Sequence, residues 1–400
     1  MDRNEFIKRC TALGLGASVL PYMLTSCSSS ENPLFGEFEV NFSGKVLVIG
    51  AGAAGMIAGH VLNKHNIDFE IIEASSGFGG RVREIQGFAD FPIDLGAEWI
   101  HDEPSILARL LSDPNVDEDI ELINYAPETF YLWKDGKLRK RNFFSNFYAE
   151  YKFKSTTWYD FFNRFIVPGI SDRMVFDSPI TSIDYSADQI VVTNLAGRTF
   201  EGDKLILTVP LTILKQNLIN FTPALPQFKT DALDGVEMPD GLKAFFEFSE
   251  RFYPDILFQD GIFEFLSEEF DSKVFYDAAF RKDSDRNILG LFTVGEPSST
   301  YTNLPSDDAI FQFIMEELDT MFDGKASRYY QNHVIQNWSS EPFIRGSYSN
   351  FIEDVIEDLR APINNKIFFA GEAYAPDDIT STVHGAGISA YNVVETILQD

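Results

Sequence analysis

KVLVIGAGAAGMIAG, residues 45–59, decides how the chain begins to fold. Val46 to Ile49 are a short apolar run of the kind that forms a strand buried on both faces. Gly50, Gly52 and Gly55 follow at the spacing G-x-G-x-x-G. The first glycine allows a tight turn, the second lets a diphosphate approach the backbone, and the third lets helix and strand pack closely. The spacing predicts a helix over 53–63, with Ala53 and Ala54 in its first turn, where free N–H groups suit phosphate oxygens. A second apolar run, DFEIIEA, ends at Glu73, and an acidic side chain at that distance from the first glycine can accept hydrogen bonds from ribose hydroxyls.

Composition bounds the rest. Four hundred residues with 44% hydrophobic content suit a folded chain of two or three domains. A formal charge of −29 argues against nucleic-acid binding, because phosphate backbones would be repelled. Both cysteines, Cys10 and Cys27, lie near the start, so the remainder holds neither a disulfide nor a thiolate metal site. Residues 10–24 form an apolar stretch behind a basic segment, too short to span a bilayer.

Further motifs carry a resemblance. Glu73-Ala74 leads into SSGFGGRV with Gly80 and Arg81, and DLGAEWIH, 94–101, follows with Gly96, Ala97, Glu98 and Trp99. FDSPITSIDY contains Ile180, LTVPLTILKQNLINFTPALP spans 207–226, and NWSSEPFIRGSYS spans 337–349. FFAGEAY, with Gly371 and Glu372, precedes TVHGAGISA, with Thr382 and Val383. Together and in this order they resemble the flavin-containing amine oxidases, a group that includes monoamine oxidases, polyamine oxidases and lysine-specific histone demethylases.

The resemblance implies one FAD per chain, held by these residues. It also implies an α/β fold, a Rossmann-like FAD domain interwoven with an α+β substrate domain of reduced size. Residues 44–101, 172–212 and 362–400 should build the first, and 102–171 and 213–361 the second. The segment 102–171 is shorter than its counterpart in relatives, so substrate size does not carry over.

DGLKAFFEF, 240–248, alternates like a half-buried strand, with Lys243, Phe245 and Glu247 on one face. The resemblance makes Lys243 the lysine that reaches flavin N5 through a water. It makes Tyr348 one wall of an aromatic cage whose other position is Thr382, and it places His101 beside the substrate. The implied reaction is hydride transfer from an amine, with a polyamine among the candidates, to N5, with oxygen as electron acceptor. Ser347 stands where some relatives carry the cysteine that tethers the flavin, so the FAD is expected to be non-covalent. An amino-acid oxidase or desaturase, with Arg345 gripping a carboxylate, and an FAD-holding lipoprotein without turnover stay open as alternatives.

Leu-Thr-Ser-Cys, 24–27, resembles a bacterial lipobox with Cys27 as the lipidated residue, and residues 1–30 then form a signal peptide and tether. DRNEFIK resembles a twin-arginine export signal with Asn4 in place of the second arginine, which leaves the export route open. The expected location is the outer side of a bacterial membrane.

Overall fold

The structure is a computed structural model, described here for residues 38–113, 116–141, 150–259, 272–351, 354–376 and 379–400. The signal segment, Cys10 and Cys27 lie outside the described residues.

The opening run forms β1 (Lys45–Ile49), followed by α1 (Ala53–Lys64) and β2 (Asp68–Ile72). β1 lies at the centre of a five-stranded sheet in the order Ile367–Phe369, Lys204–Leu207, β1, β2, Met174–Val175, all parallel. Alternation along β1 explains its apolar character. Val46 and Val48 enter one core with Ile57 of α1, while Leu47 and Ile49 enter another on the opposite face. That second core is shared with a four-stranded sheet through Ile183, Val192 and Phe200. The last helix, α2 (Val383–Gln399), lies beside α1 and inserts Val394, Ile397 and Leu398 into the first core. Each such aliphatic side chain contributes about 1.5–3 kcal/mol when wholly buried.

A seven-stranded sheet forms the other half of the molecule. Its order is Tyr330–Asn337, β3 (Gly241–Phe248), β4 (Asn287–Val294), Ser272–Asp277, Ile256–Gln259, Phe130–Lys134, Lys137–Arg141. Neighbours are antiparallel except for the parallel pair of Ile256–Gln259 with Phe130–Lys134. β3 differs from the half-buried strand expected, because all eight residues are buried. Leu242, Ala244, Phe246 and Phe248 pack toward the helix Asp307–Phe322, and Phe245 packs into a separate core on the reverse face. The reverse face is covered by residues 88–95, so Lys243 points into protein instead of water.

A separate two-stranded antiparallel sheet pairs Leu122–Tyr125 with Glu150–Phe153 and brings Tyr125 and Lys152 under that same face. Among the described residues no helix is long and apolar enough to cross a membrane.

Candidate active site

A cavity of about 1110 Å³ runs from the glycine turn after β1 to the inner face of the seven-stranded sheet. That exceeds the roughly 300–1,000 Å³ of ordinary small-molecule pockets and leaves room for a dinucleotide and a second ligand. Of the residues singled out from sequence within the described range, all but Gly55 line it.

The dinucleotide end follows from local backbone geometry. Gly50 has φ +104°, and a Cβ on Gly55 would stand 1.9 Å from the Gly50 carbonyl oxygen, so the turn closes only without side chains. Gly52 plays another part. A Cβ there would meet nothing nearer than the Gly79 carbonyl at 4.0 Å, so bare backbone faces the cavity. Gly52 also caps α1 without a side-chain hydrogen bond, and no acidic residue occupies the first turn. The helix N-terminus is thereby left to an anion.

Glu73, just past β2, accepts from the Ala51 N–H at 2.7 Å and from Ser75 N–H and Oγ at 2.8 and 2.6 Å. It fastens the glycine turn, and Oε2, which accepts only from Ala51, keeps a further lone pair for a hydroxyl donor. Arg81 Nη1 meets Glu372 Oε1 at 2.8 Å, and the Ser349 hydroxyl donates to the other oxygen of Glu372. This pairing neutralises Glu372 and leaves Arg81 further N–H donors. Thr382 caps α2, its hydroxyl accepting from Gly385 N–H at 2.9 Å and donating to the Ile379 carbonyl at 2.8 Å. Ile180 and Val383 add apolar wall. Glycine backbone, a helix start without a side-chain cap, a carboxylate that can accept from ribose hydroxyls and a partly neutralised arginine form a set of donors and acceptors that fits FAD. Among the described residues no cluster of three or more metal-ligating side chains exists.

The other end is aromatic. Tyr348 faces Phe292 of β4 across 6.5 Å with ring planes only 9° apart. Burial, and after it the Glu372 carboxylate, pushes the Tyr348 phenol up to about 12, so the ring stays neutral. Thr382, the position expected to oppose Tyr348, is committed to its capping role. Phe292 gave no signal in the sequence, because it comes from a strand 56 positions before Tyr348 with no motif around it.

At the mouth His101 Nδ1 meets Glu150 Oε2 at 3.0 Å, with the imidazole about half exposed. Desolvation opposes its charge, but Glu150 overrides this and raises the histidine above its ordinary value. Glu150 was likewise not singled out from sequence. Arg345, the candidate carboxylate grip, directs its guanidinium to Gln216 Oε1 at 2.6 Å and to the Pro342 carbonyl at 3.1 Å.

Lys243 ends in a buried polar cluster. Its Nζ donates to the carbonyls of Asp94 at 2.8 Å and Gly96 at 3.0 Å, and to Glu98 Oε2 at 2.6 Å. Glu98 lines the cavity, yet its carboxylate turns to these protein donors: Lys243, Lys152 and the Tyr276 hydroxyl. Burial works against the Glu98 charge, but Lys152 and Lys243 together hold it well below the usual carboxylate range. Burial pulls Lys243 below its ordinary value, with Glu98 acting in the opposite sense. Asp94 rises to about 8 through burial and the neighbouring Glu98.

Comparison with known proteins agrees with this geometry. The family model for flavin containing amine oxidoreductases matches residues 53–164 and 170–398. Polyamine oxidase 3 of Oryza sativa subsp. japonica is 25% identical over 427 residues, covering 85% of this chain and 86% of that protein. Lysine-specific histone demethylase 1B of Mus musculus is 22% identical over 428 residues, covering 86% of this chain and 52% of its own. Among solved structures, a wild-type putrescine oxidase bound to putrescine superposes with a TM-score of 0.73 at 15% identity, covering 90% and 100% of the two chains. Cyclohexylamine oxidase from Brevibacterium oxydans IH-35A gives the same TM-score, identity and coverage. These structural likenesses bear on the fold.

Proposed function

The chain belongs to the flavin containing amine oxidoreductases and is an FAD-dependent amine oxidase, and from that premise we propose that it oxidises a small aliphatic amine, with oxygen as the electron acceptor. One observation supports the substrate class: the parallel Tyr348–Phe292 pair stands in the same cavity as the dinucleotide-binding glycines. Aromatic faces attract a substrate cation on arrival and, being apolar, favour its neutral form once water is excluded.

When bound, FAD supplies the hydride acceptor. The chain's own residues do the rest. Gly52, the start of α1, Glu73 and Arg81 fix the dinucleotide. Tyr348 and Phe292 confine the amine and keep water from it. His101 and Glu150, at the mouth, can take up the proton that a substrate ammonium must lose, or hold a second ammonium of a diamine. Glu150, the carboxylate of this pair, favours a di- or polyamine over a monoamine.

Anaerobic mixing of the yellow protein with putrescine, spermidine and cyclohexylamine tests the reading. Bleaching of the flavin by at least one amine, faster for the diamine, is expected, followed by peroxide release on admitting oxygen. Flavin that stays oxidised with the whole panel would leave an FAD-holding protein without turnover.

We further propose, from the Leu-Thr-Ser-Cys stretch alone, that Cys27 carries lipid and holds the protein on the outer side of a bacterial membrane. Cys27→Ala should move the protein from the membrane to the soluble fraction. A wild-type protein that is already soluble would refute the anchor.

A further inference from the structure

Two lysines share one carboxylate beneath the cavity wall. Lys152 is 1% exposed and Lys243 3%, and Glu98, which contacts both, is 6% exposed. The Lys152 ammonium lies against Glu98 Oε1 and over the faces of Trp99, Tyr125 and Tyr276, at 4.6, 5.0 and 4.9 Å from their centroids. An aromatic box of this kind holds a cation that has lost its water. Here the box is filled by the chain's own side chain.

The neighbouring groups leave the cluster with surplus positive charge. Tyr276 is kept neutral by burial and by Glu98. Asp94 presents its carbonyl to Lys243, while its carboxyl accepts from the Trp158 N–H at 3.3 Å. Lys282, on the outer side, donates to the Phe153 carbonyl at 3.2 Å and lies over Phe91. One carboxylate against two ammonium groups leaves a unit of charge with no counter-ion in contact.

Lys243 alone brings that charge to the cavity surface, since Lys152 is sealed behind it. An ammonium has three N–H donors, and all three of those on Lys243 are spent on Asp94, Gly96 and Glu98. None remains for a water or a ligand.

We propose that Lys152 and Glu98 are positioning residues that hold Lys243 as a fixed positive charge at the cavity wall, so that it favours the reduced cofactor by field and not by hydrogen bonding. The inference rests on FAD occupying this cavity. Oxidised flavin gains two electrons and one proton on reduction, and the product carries one more negative charge. A buried positive charge in low dielectric stabilises that product more than the oxidised form. The same field disfavours a protonated amine beside the flavin.

The test is anaerobic titration of the FAD-loaded protein with dithionite against a reference dye, without any amine. Lys152→Met keeps an unbranched side chain in the aromatic box but removes its charge. It should lower the equilibrium constant for flavin reduction at least tenfold, about 30 mV for a two-electron couple. Lys152→Arg should stay within about threefold of wild type. Glu98→Gln removes the negative charge and should shift the constant the opposite way.

Opposite signs for Lys152→Met and Glu98→Gln separate a field from general damage to the site. A Lys152→Met protein with full FAD content and an unchanged constant would overturn the proposal, as would both variants shifting together. If Glu98→Gln fails to fold, the contrast between Lys152→Met and Lys152→Arg decides. Wild-type protein that takes up no FAD would overturn the cofactor reading itself, and this inference with it.

Discussion

His384 shows how a single buried side chain couples this fold to pH. It sits in the first turn of α2, 1% exposed, and its Nε2 has no hydrogen-bond partner among the described residues. Burial first, then the nearby His101 and Arg109 charges, lowers it to about 3. A folded value below the ordinary 6.5 means that the unfolded chain takes the proton first. Stability from this group is therefore full above about pH 6.5 and is lost as the pH falls toward 3. Between pH 7 and 4.5 the loss should be about 2 kcal/mol. Urea midpoints of FAD-saturated protein over that range should fall less steeply for His384→Leu than for wild type. Equal slopes would show that His384 is protonated in the native state without penalty.

At the scale of elements, the β1–α1 turn assigns different duties to two glycines three positions apart. In Gly55→Ala the new Cβ would lie 1.9 Å from the Gly50 carbonyl, a clash with backbone that cannot be relieved by rotating a side chain. Apoprotein stability should drop by about 1–3 kcal/mol or more. Gly52 has φ −75° and open space, so Gly52→Ala should leave apoprotein melting unchanged and weaken FAD binding alone. Melting curves with and without FAD distinguish the two outcomes. If both variants lose stability equally, the open cradle at Gly52 is misplaced.

This turn was legible in the sequence because its determinants are neighbours in the chain. Strand, turn, helix and Glu73 all fall between 45 and 73, and their spacing carries the geometry. β3 was legible as a strand but not in its burial. Its alternation is real, yet a second core from residues 88–95 covers the face that periodicity alone leaves to solvent. Glu247 on that face is buried and paired with Arg286, which also lies outside any local pattern. Lys152 is the extreme case. EYKF reads as an ordinary edge strand, and only a fold that joins Trp99, Tyr125 and Tyr276 turns its lysine into a caged charge. Phe292 and Glu150 escaped for the same reason. Each meets its partner through tertiary structure, with no spacing to announce it.

At the scale of the whole molecule, the parallel sheet is gathered from three distant stretches, around residues 45–72, 174–207 and 367–369. No continuous segment can therefore fold as the dinucleotide-binding half by itself. A chain ending at Asn365 would lack the edge strand Ile367–Phe369, Glu372 and the whole of α2. Lys204–Leu207 would become an open edge, and α1 would expose the surface that Val394, Ile397 and Leu398 cover. Such a chain should be insoluble or free of flavin, as absorbance of the purified material would show. A soluble yellow fragment would mean that the last strand and helix are dispensable.

The late position of those pieces also sets an order of events during synthesis. Glu372 and Thr382, which wall the cavity, leave the ribosome long after the glycine turn of Gly50 and Gly52, and α2 can dock on α1 only after them. Until those pieces emerge the nascent chain is an incomplete receptacle, and flavin uptake waits for them. Whichever compartment the chain folds in must then supply free FAD. Crossing a membrane unfolded would demand a flavin pool on the far side, whereas crossing folded would carry the cofactor along as cargo.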